Sequence, residues 1–421
     1  MSLISVDMST STKEGRVGEM NVVLKTRLLN RAKLDVANKT RSNLFNWRGQ
    51  FTPEFVEYLL SEVGLGSGLV VDPFCGSGTV LQECALRSRA THGFEINPAA
   101  YAMSRFFTLS EHSAEKRKEL LVRLEVIIGS AEKQFAHQLL FERVEDYRER
   151  AGNLLNSGRE MFSLAQSRDE RLLVLLTLFE AESLRVPMLG RALRMASSKV
   201  ATNLAGLPFT AAPIRATLGD ARSIDKHYAG AVDLIVTSPP YINVFNYHQN
   251  HRALMEMVGF NILQVAASEI GSNRKNRGNR LRTVVQYALD MEACLHSMAK
   301  ALKSDGQMML IVGRESNVRG LPILNSKLVS NIAEELGCFH SEGSFERSFT
   351  NRFGVSIYED VLVFRRTTKE AQTGEARRIA KDALTELRHR ATGDILTDLE
   401  DAICGSDQIV PSPVFEPTLS I

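Results

Sequence analysis

The stretch Leu69-Val70-Val71-Asp72-Pro73-Phe74-Cys75-Gly76-Ser77-Gly78-Thr79 decides the fold. Leu69 to Val71 read as a short buried strand, Asp72 stands at its tip, and a helix follows through about Arg87. Between them Gly76 and Gly78 carry no Cβ, so backbone N–H groups can approach a ligand closely. A second strand, Thr91 to Phe94, ends at Glu95-Ile96-Asn97-Pro98, and another helix starts at Ala99. Strand, glycine loop, helix, strand and acidic residue are half of a doubly wound sheet, so the expected class is α/β.

Working outward, residues 1 to about 20 read as a mobile polar tail, and Asn46-Trp47-Arg48-Gly49-Gln50-Phe51-Thr52-Pro53 punctuates the start of a helix. Pro53 suits the first turn with Thr52 as its cap, and Phe55, Val56, Leu59 and Leu60 form its apolar stripe, which ends in the turn Gly64 to Gly68. Residues 110 to 210 read as a helical insertion, with amphipathic runs at Leu120 to Ile128, Phe135 to Arg150 and Leu172 to Leu184 and a break at Pro187. The sheet pattern resumes at Ile214 to Leu218 and at Val232 to Val236, which runs into Thr237-Ser238-Pro239-Pro240-Tyr241. A helix from about Val285 to Leu302, a turn at Lys303 to Gly306, a strand from Gln307 to Val312, a helix from Leu321 to Leu336 and a closing strand from Tyr358 to Phe364 complete the pattern. The expected division is a leader (1–42), a cofactor half (43–109), the insertion, a catalytic half (211–366) and a helical extension (367–421) that becomes loose after Cys404.

The glycine loop lacks the G-x-x-x-x-G-K-[ST] of mononucleotide kinases, and its G-x-G is not completed to a dinucleotide fingerprint. A ligand with a cationic or zwitterionic end and a ribose remains. Asp72 is placed to meet an ammonium and Glu95 to accept from ribose hydroxyls. S-adenosylmethionine satisfies both.

Two prolines after a strand cannot donate ladder hydrogen bonds, so Pro239 and Pro240 force a rigid turn at the carboxyl edge of the sheet. Ser238 supplies a hydroxyl, the carbonyls near Pro239 are free acceptors, and Tyr241 offers a flat face for a base. Two fixed acceptors would orient an exocyclic amine, a double donor, with its lone pair toward a sulfonium methyl, and positioning then supplies much of the catalysis. The competing reading is a surface turn without chemistry.

With both motifs in hand, the chain resembles the amino-methylating DNA methyltransferases of bacteria and phages. Asp72 to Thr79 is similar to that family's cofactor motif, Thr237 to Tyr241 to its catalytic motif, and Asn46 to Pro53, with Phe51, to the element that closes over the methionine end of the cofactor. Asp220, in Gly219-Asp220-Ala221, resembles the acidic residue that faces the adenine amino group. The resemblance implies a Rossmann-like methyltransferase sheet, S-adenosylmethionine as methyl donor, double-stranded DNA as partner and a target base flipped into the pocket. Serine at the first position of the catalytic motif is similar to the cytosine N4 enzymes, whereas Asp or Asn there is typical of adenine N6 enzymes. Adenine N6 methylation, guanine N2 methylation of RNA and a non-catalytic binding role are the alternatives. Cytosine C5 chemistry needs a nucleophilic cysteine in a Pro-Cys context, and none of the five cysteines follows a proline.

Asn243, Phe245 and Tyr247 are candidates for the base pocket, and Arg274, Lys275, Arg277 and Arg280 crowd four positive charges into one loop suited to phosphates. Overall, Lys+Arg 51 against Asp+Glu 49 gives +2, so any nucleic-acid surface must come from such local clustering. The five cysteines lack C-x-x-C spacing, which points away from a disulfide framework or metal site. The amino-terminal residues lack a secretory core and no apolar run is long enough for a membrane span, so a cytoplasmic protein is expected. Oligomeric state and an accompanying restriction endonuclease stay open.

Overall fold

The computed structural model describes residues 29–36, 39–63, 68–134, 146–242, 246–272, 276, 278–350 and 354–417. Its strands in chain order are β1 (Val70–Asp72), β2 (Thr91–Glu95), β3 (Ile214–Leu218), β4 (Val232–Thr237), β5 (Leu302–Gly313), β6 (Ser316–Val318), β7 (Leu321–Ile323), β8 (Phe339–Thr350) and β9 (Ser356–Arg366). Seven form one sheet in the order β3-β2-β1-β4-β5-β9-β8. Strands β1 to β5 are parallel, and β9 runs antiparallel between β5 and β8. The chain winds from β1 outward to β3, then returns to lay β4 beside β1. The strand order reverses there, opening a crevice at the carboxyl ends of β1 and β4.

The central strands read as unbroken apolar runs because both faces are covered. The helix Pro53–Glu62 lays Phe55, Val56, Leu59 and Leu60 on Val70, Leu234, Val236, Met309, Ile311, Val361 and Val363. The alternate residues Val71, Ile235, Met308, Leu310 and Val312 face the opposite layer, which includes the helix Arg282–Ala301. Pro53 opens its helix as expected, but the Thr52 side chain makes no cap bond, and its Oγ1 is buried without a partner among the described residues.

Helices Ala114–Gln134, Tyr147–Leu164, Arg168–Ser183 and Leu189–Ala205 occupy the expected insertion, and helix is interrupted around Pro187. Residues 135–145, part of the expected run from Phe135, lie outside the described residues, as do 64–67 of the Gly64 to Gly68 turn. The insertion leaves and rejoins the sheet at one point: Thr210 N donates to Ser110 O at 3.1 Å, and Ile214 N to Glu111 Oε1 at 2.8 Å.

Three expectations change. Leu321 to Leu336 is not one helix: Leu321–Ile323 pairs with Ser316–Val318, and the helix spans only Asn325–Glu335. Pro322 fits the short hairpin, whereas helical periodicity alone had drawn it into the helix. The expected turn at Lys303 to Gly306 lies within β5, at an irregularity of its pairing with β4. Beyond Cys404 the chain is not loose, because Ser406, Ile409, Ser412 and Phe415 are buried. All five cysteines are free thiols, and among the described residues no helix is long and apolar enough to cross a membrane.

Candidate functional site

Adjacent tips of β1 and β4 bring the two motifs together. Thr237 Oγ1, the last residue of β4, donates to Asp72 Oδ1 at 2.6 Å, and Phe74 N donates to Asp72 Oδ1 at 3.1 Å and lies 3.2 Å from Thr237 Oγ1. The glycine loop and the double-proline turn are therefore joined by a hydrogen bond across 165 residues of sequence. Asp72 is buried, and burial pushes its carboxyl up to about 7 despite those donors.

Pro73 and Phe74 carry the chain from the strand into the loop, where Cys75 N donates to Phe94 O at 3.0 Å and Gly78 N to Cys75 O at 2.8 Å. Gly78 has φ +92°, and a Cβ there would stand 2.8 Å from Ser104 Cα, so both conformation and close packing demand glycine. Helix Thr79–Leu86 follows. Glu95 meets the loop from β2: its Oε2 accepts from Gly76 N at 2.9 Å and its Oε1 from Asn97 N at 2.8 Å. Burial raises this carboxyl to about 7 as well. Each oxygen thus takes one backbone donor and keeps a second lone pair for a ligand hydroxyl. The Cys75 thiol is pushed up by burial, which keeps it a packed, un-ionised group.

The Asn46 to Pro53 segment closes over this loop. Ser77 Oγ donates to Gln50 Oε1 at 2.7 Å, and a Cβ on Gly76 would touch Trp47 Cδ1 at 3.4 Å. Phe51 is fixed by Asn43 Nδ2 donating to its carbonyl at 2.8 Å and by its ring against Phe55, 5.3 Å between centroids. Tyr247, expected at the base pocket, stacks on Trp47 with 5.9 Å between ring centroids, and its hydroxyl lies near Gly49. Gln50 and Trp47 lay inside the segment singled out in the sequence, yet nothing local marked them as loop contacts.

In the double-proline turn Pro239 is buried, and Ser238 and Pro240 are half-buried. The Tyr241 hydroxyl donates to Glu359 Oε1 at 2.8 Å, and its ring lies against Gly313 at the end of β5. Burial raises the phenol, with the Glu359 charge adding to it and Ser238 opposing, so Tyr241 stays a neutral donor. Glu359 and Gly313 carried no sequence signal, since each is an ordinary residue of a strand.

At the tip of β3, Gly219 N donates to Glu95 O at 3.0 Å, which sets Ile96 beside Gly219 to Ala221. The Asp220 carboxylate is taken by the chain's own donors. Oδ1 accepts from Arg222 N and Nε, both at 2.9 Å, and Oδ2 from Arg222 Nη2 at 2.6 Å and Phe415 N at 2.8 Å. Asp220 thus fastens a carboxy-terminal strap, residues 409–416, in place of the open adenine-facing acceptor expected of it. Arg222 also donates to Ser412 O at 2.7 Å and Pro413 O at 2.9 Å, and Gln264 Nε2 donates to Glu416 O at 2.9 Å. Asn243, Phe245, Arg274, Lys275 and Arg277 lie outside the described residues, while Arg280 is described and half-buried.

Among known proteins, a family described as DNA methylase matches residues 19–105. Type II methyltransferase M.MjaII of Methanocaldococcus jannaschii is 30% identical over 76 residues, which are 18% of this chain and 14% of that relative. The match therefore spans about a seventh of the relative's length. Of solved structures, TrmN from Thermus thermophilus is 13% identical with TM-score 0.32, over 76% of this chain and 50% of TrmN. An S-adenosylmethionine-dependent methyltransferase from Methanosarcina mazei is 10% identical with TM-score 0.32, over 72% of this chain and 95% of that one. The family match likewise covers about a fifth of this chain.

Proposed function

We propose that this chain, whose residues 19–105 match the DNA methylase family, transfers methyl from S-adenosylmethionine to an exocyclic amino group in double-stranded DNA, with cytosine N4 the target. The observation that carries the reading is the bond from Thr237 to Asp72, which puts the glycine loop and the double-proline turn at one sheet edge.

The residues fit the cofactor. Asp72, at the tip of β1, would meet the ammonium of the methionine end, and Glu95 the two ribose hydroxyls, while the loop Pro73 to Thr79 lines the chain between them. Ile96 and Ala221 flank the adenine end, with Asp220 acting through the strap that it holds. Phe51 and Pro53 belong to the segment that covers the methionine end. When bound, S-adenosylmethionine supplies a methyl group made electrophilic by its sulfonium.

The chain's own part is placement. Ser238 Oγ and the carbonyl at Pro239 accept the two amine protons and turn the nitrogen lone pair toward the methyl, and Pro240 keeps the turn rigid. Tyr241 stacks on the flipped base. No cysteine takes part, consistent with the buried, un-ionised Cys75. Serine ahead of the two prolines supports cytosine over adenine. Arg274, Lys275, Arg277 and Arg280 would meet phosphates, and Asn243 and Phe245 would serve the base pocket.

Purified protein with labelled S-adenosylmethionine is expected to methylate duplex DNA and not transfer RNA. Single-molecule sequencing of DNA from expressing cells should show N4-methylcytosine in a fixed context. N6-methyladenine there would overturn the choice of base alone, and label in RNA but not DNA would overturn the substrate class.

A further inference from the structure

Tyr241 is held from a part of the chain that no motif marks. Its hydroxyl donates to Glu359 Oε1 at 2.8 Å, across 118 residues. Glu359 sits near the start of β9, opposite Gly313 of β5 on one side and Arg347 of β8 on the other. Its side chain is 10% exposed, and its second oxygen, Oε2, lies 3.4 Å from Arg347 Nη1. Arg347 is itself buried, with its guanidinium 3.7 Å from the ring centroid of Phe55 and 5.1 Å from that of Phe349. Its Nε and Nη1 make no hydrogen bond.

A buried guanidinium that makes few hydrogen bonds is costly. Here it is set against two aromatic faces and one carboxylate, and that carboxylate spends its other oxygen on the phenol of the catalytic turn. The ring is constrained at a second place by Gly313, where any Cβ would come within 2.7 Å of it. Tip and ring are thus both fixed, and a stacking platform needs a defined plane more than it needs strong contact.

We propose that Glu359, with Arg347 behind it, is a positioning residue that sets the plane of Tyr241 and thereby the seat of the target base. This rests on the proposed role of Tyr241 as the base platform. Arg347 holds the Glu359 carboxyl from the far side, and an acceptor anchored at both of its oxygens fixes a hydroxyl more strictly than mobile water does.

The test uses the full chain and duplex DNA carrying the sequence context found in expressing cells, with wild type, Glu359→Ala, Glu359→Gln, Tyr241→Phe and the Glu359→Ala/Tyr241→Phe double variant. Tyr241→Phe removes the same hydrogen bond from the other end, so the idea remains testable if Glu359→Ala does not fold. Expected are kcat losses of at least tenfold for Glu359→Ala and Tyr241→Phe, with KM for S-adenosylmethionine within twofold of wild type. The double variant should lose no more than the worse single one, and Glu359→Gln, whose amide oxygen can still accept, should recover most of the rate. Duplexes with 2-aminopurine at the target position should show altered fluorescence in both single variants. Wild-type rate in Tyr241→Phe, fully additive losses in the double variant, or a raised KM with kcat intact would each overturn the proposal. An inactive wild type would instead remove the DNA-methylating function beneath it.

Discussion

Replacing Gly313 by alanine separates the seat of Tyr241 from every other feature of the site. Gly313 is not among the residues with positive φ, so alanine meets no backbone strain there. The whole effect comes from one methyl group, which would stand 2.7 Å from Tyr241 Cε2, 2.8 Å from Cδ2 and 3.1 Å from Cζ, where ordinary contact begins at 3.4 Å. Overpacking of this kind costs about 1–3 kcal/mol if nothing moves. The backbone of β5 is held by β4 and β9 on either side, so the ring yields first. A displacement on the order of 1 Å strains the bond to Glu359 and is expected to lower kcat on the order of 100-fold. Neither Asp72 nor Glu95 is touched, so cofactor affinity should stay within twofold of wild type. Methyl transfer under saturating cofactor, calorimetric titration of S-adenosylmethionine and a thermal melt measure the three quantities. A Gly313→Ala protein with full turnover and an unchanged Tm would refute the placement of the tyrosine ring.

Burial holds Asp72 and Glu95 at about 7, so the folded chain keeps their protons to higher pH than the unfolded chain does. Their contribution to ligand-free stability should therefore be fully present below the ordinary carboxylate range, under about pH 4, and be lost as pH rises toward 7. Cofactor binding requires the ionised forms, so affinity should rise over the same interval and level off above 7; Asp72→Asn, followed by titration at several pH values, should remove part of that rise. Asp220→Ala withdraws the acceptor of four hydrogen bonds and leaves Arg222, whose side chain is 3% exposed, with Asp290 as its remaining ion-pair partner among the described residues. A cost of about 3–5 kcal/mol is expected, read as a lower urea midpoint together with faster proteolysis near residues 409–416.

Where function depends on a short local pattern, the amino-acid order was legible. Asp72 to Thr79 and the Ser238 to Tyr241 turn each follow a short apolar run, Glu95 ends the strand Thr91–Glu95, and all three meet at the crevice. Strand β8 was not legible because its pairing shifts between Ser341 and Gly343, which breaks the alternation, and because Gly343 and Arg347 interrupt the face that carries Phe345 and Phe349. Residues 409 to 416 look like a loose tail since Pro411 and Pro413 break every regular pattern. What orders them is Asp220, Arg222, Gln264, Gln286 and Asp290, all more than a hundred residues away. Glu359 escaped for the same reason: its partner is set by sheet order, and sheet order is not written in any window of sequence.

The strap also places the site in time. Asp220 and Arg222 leave the ribosome 190 or more residues before Ser412 and Phe415, which complete their bonding. At about 5–20 residues per second the delay is roughly 10–40 s. Through that interval the Arg222 guanidinium faces Asp220, Asp290 and the Ser268 carbonyl without the strap carbonyls that complete its bonding. The end of the crevice beside Asp220 is thus completed late, and a nascent chain that has already built its sheet cannot yet present a finished cleft.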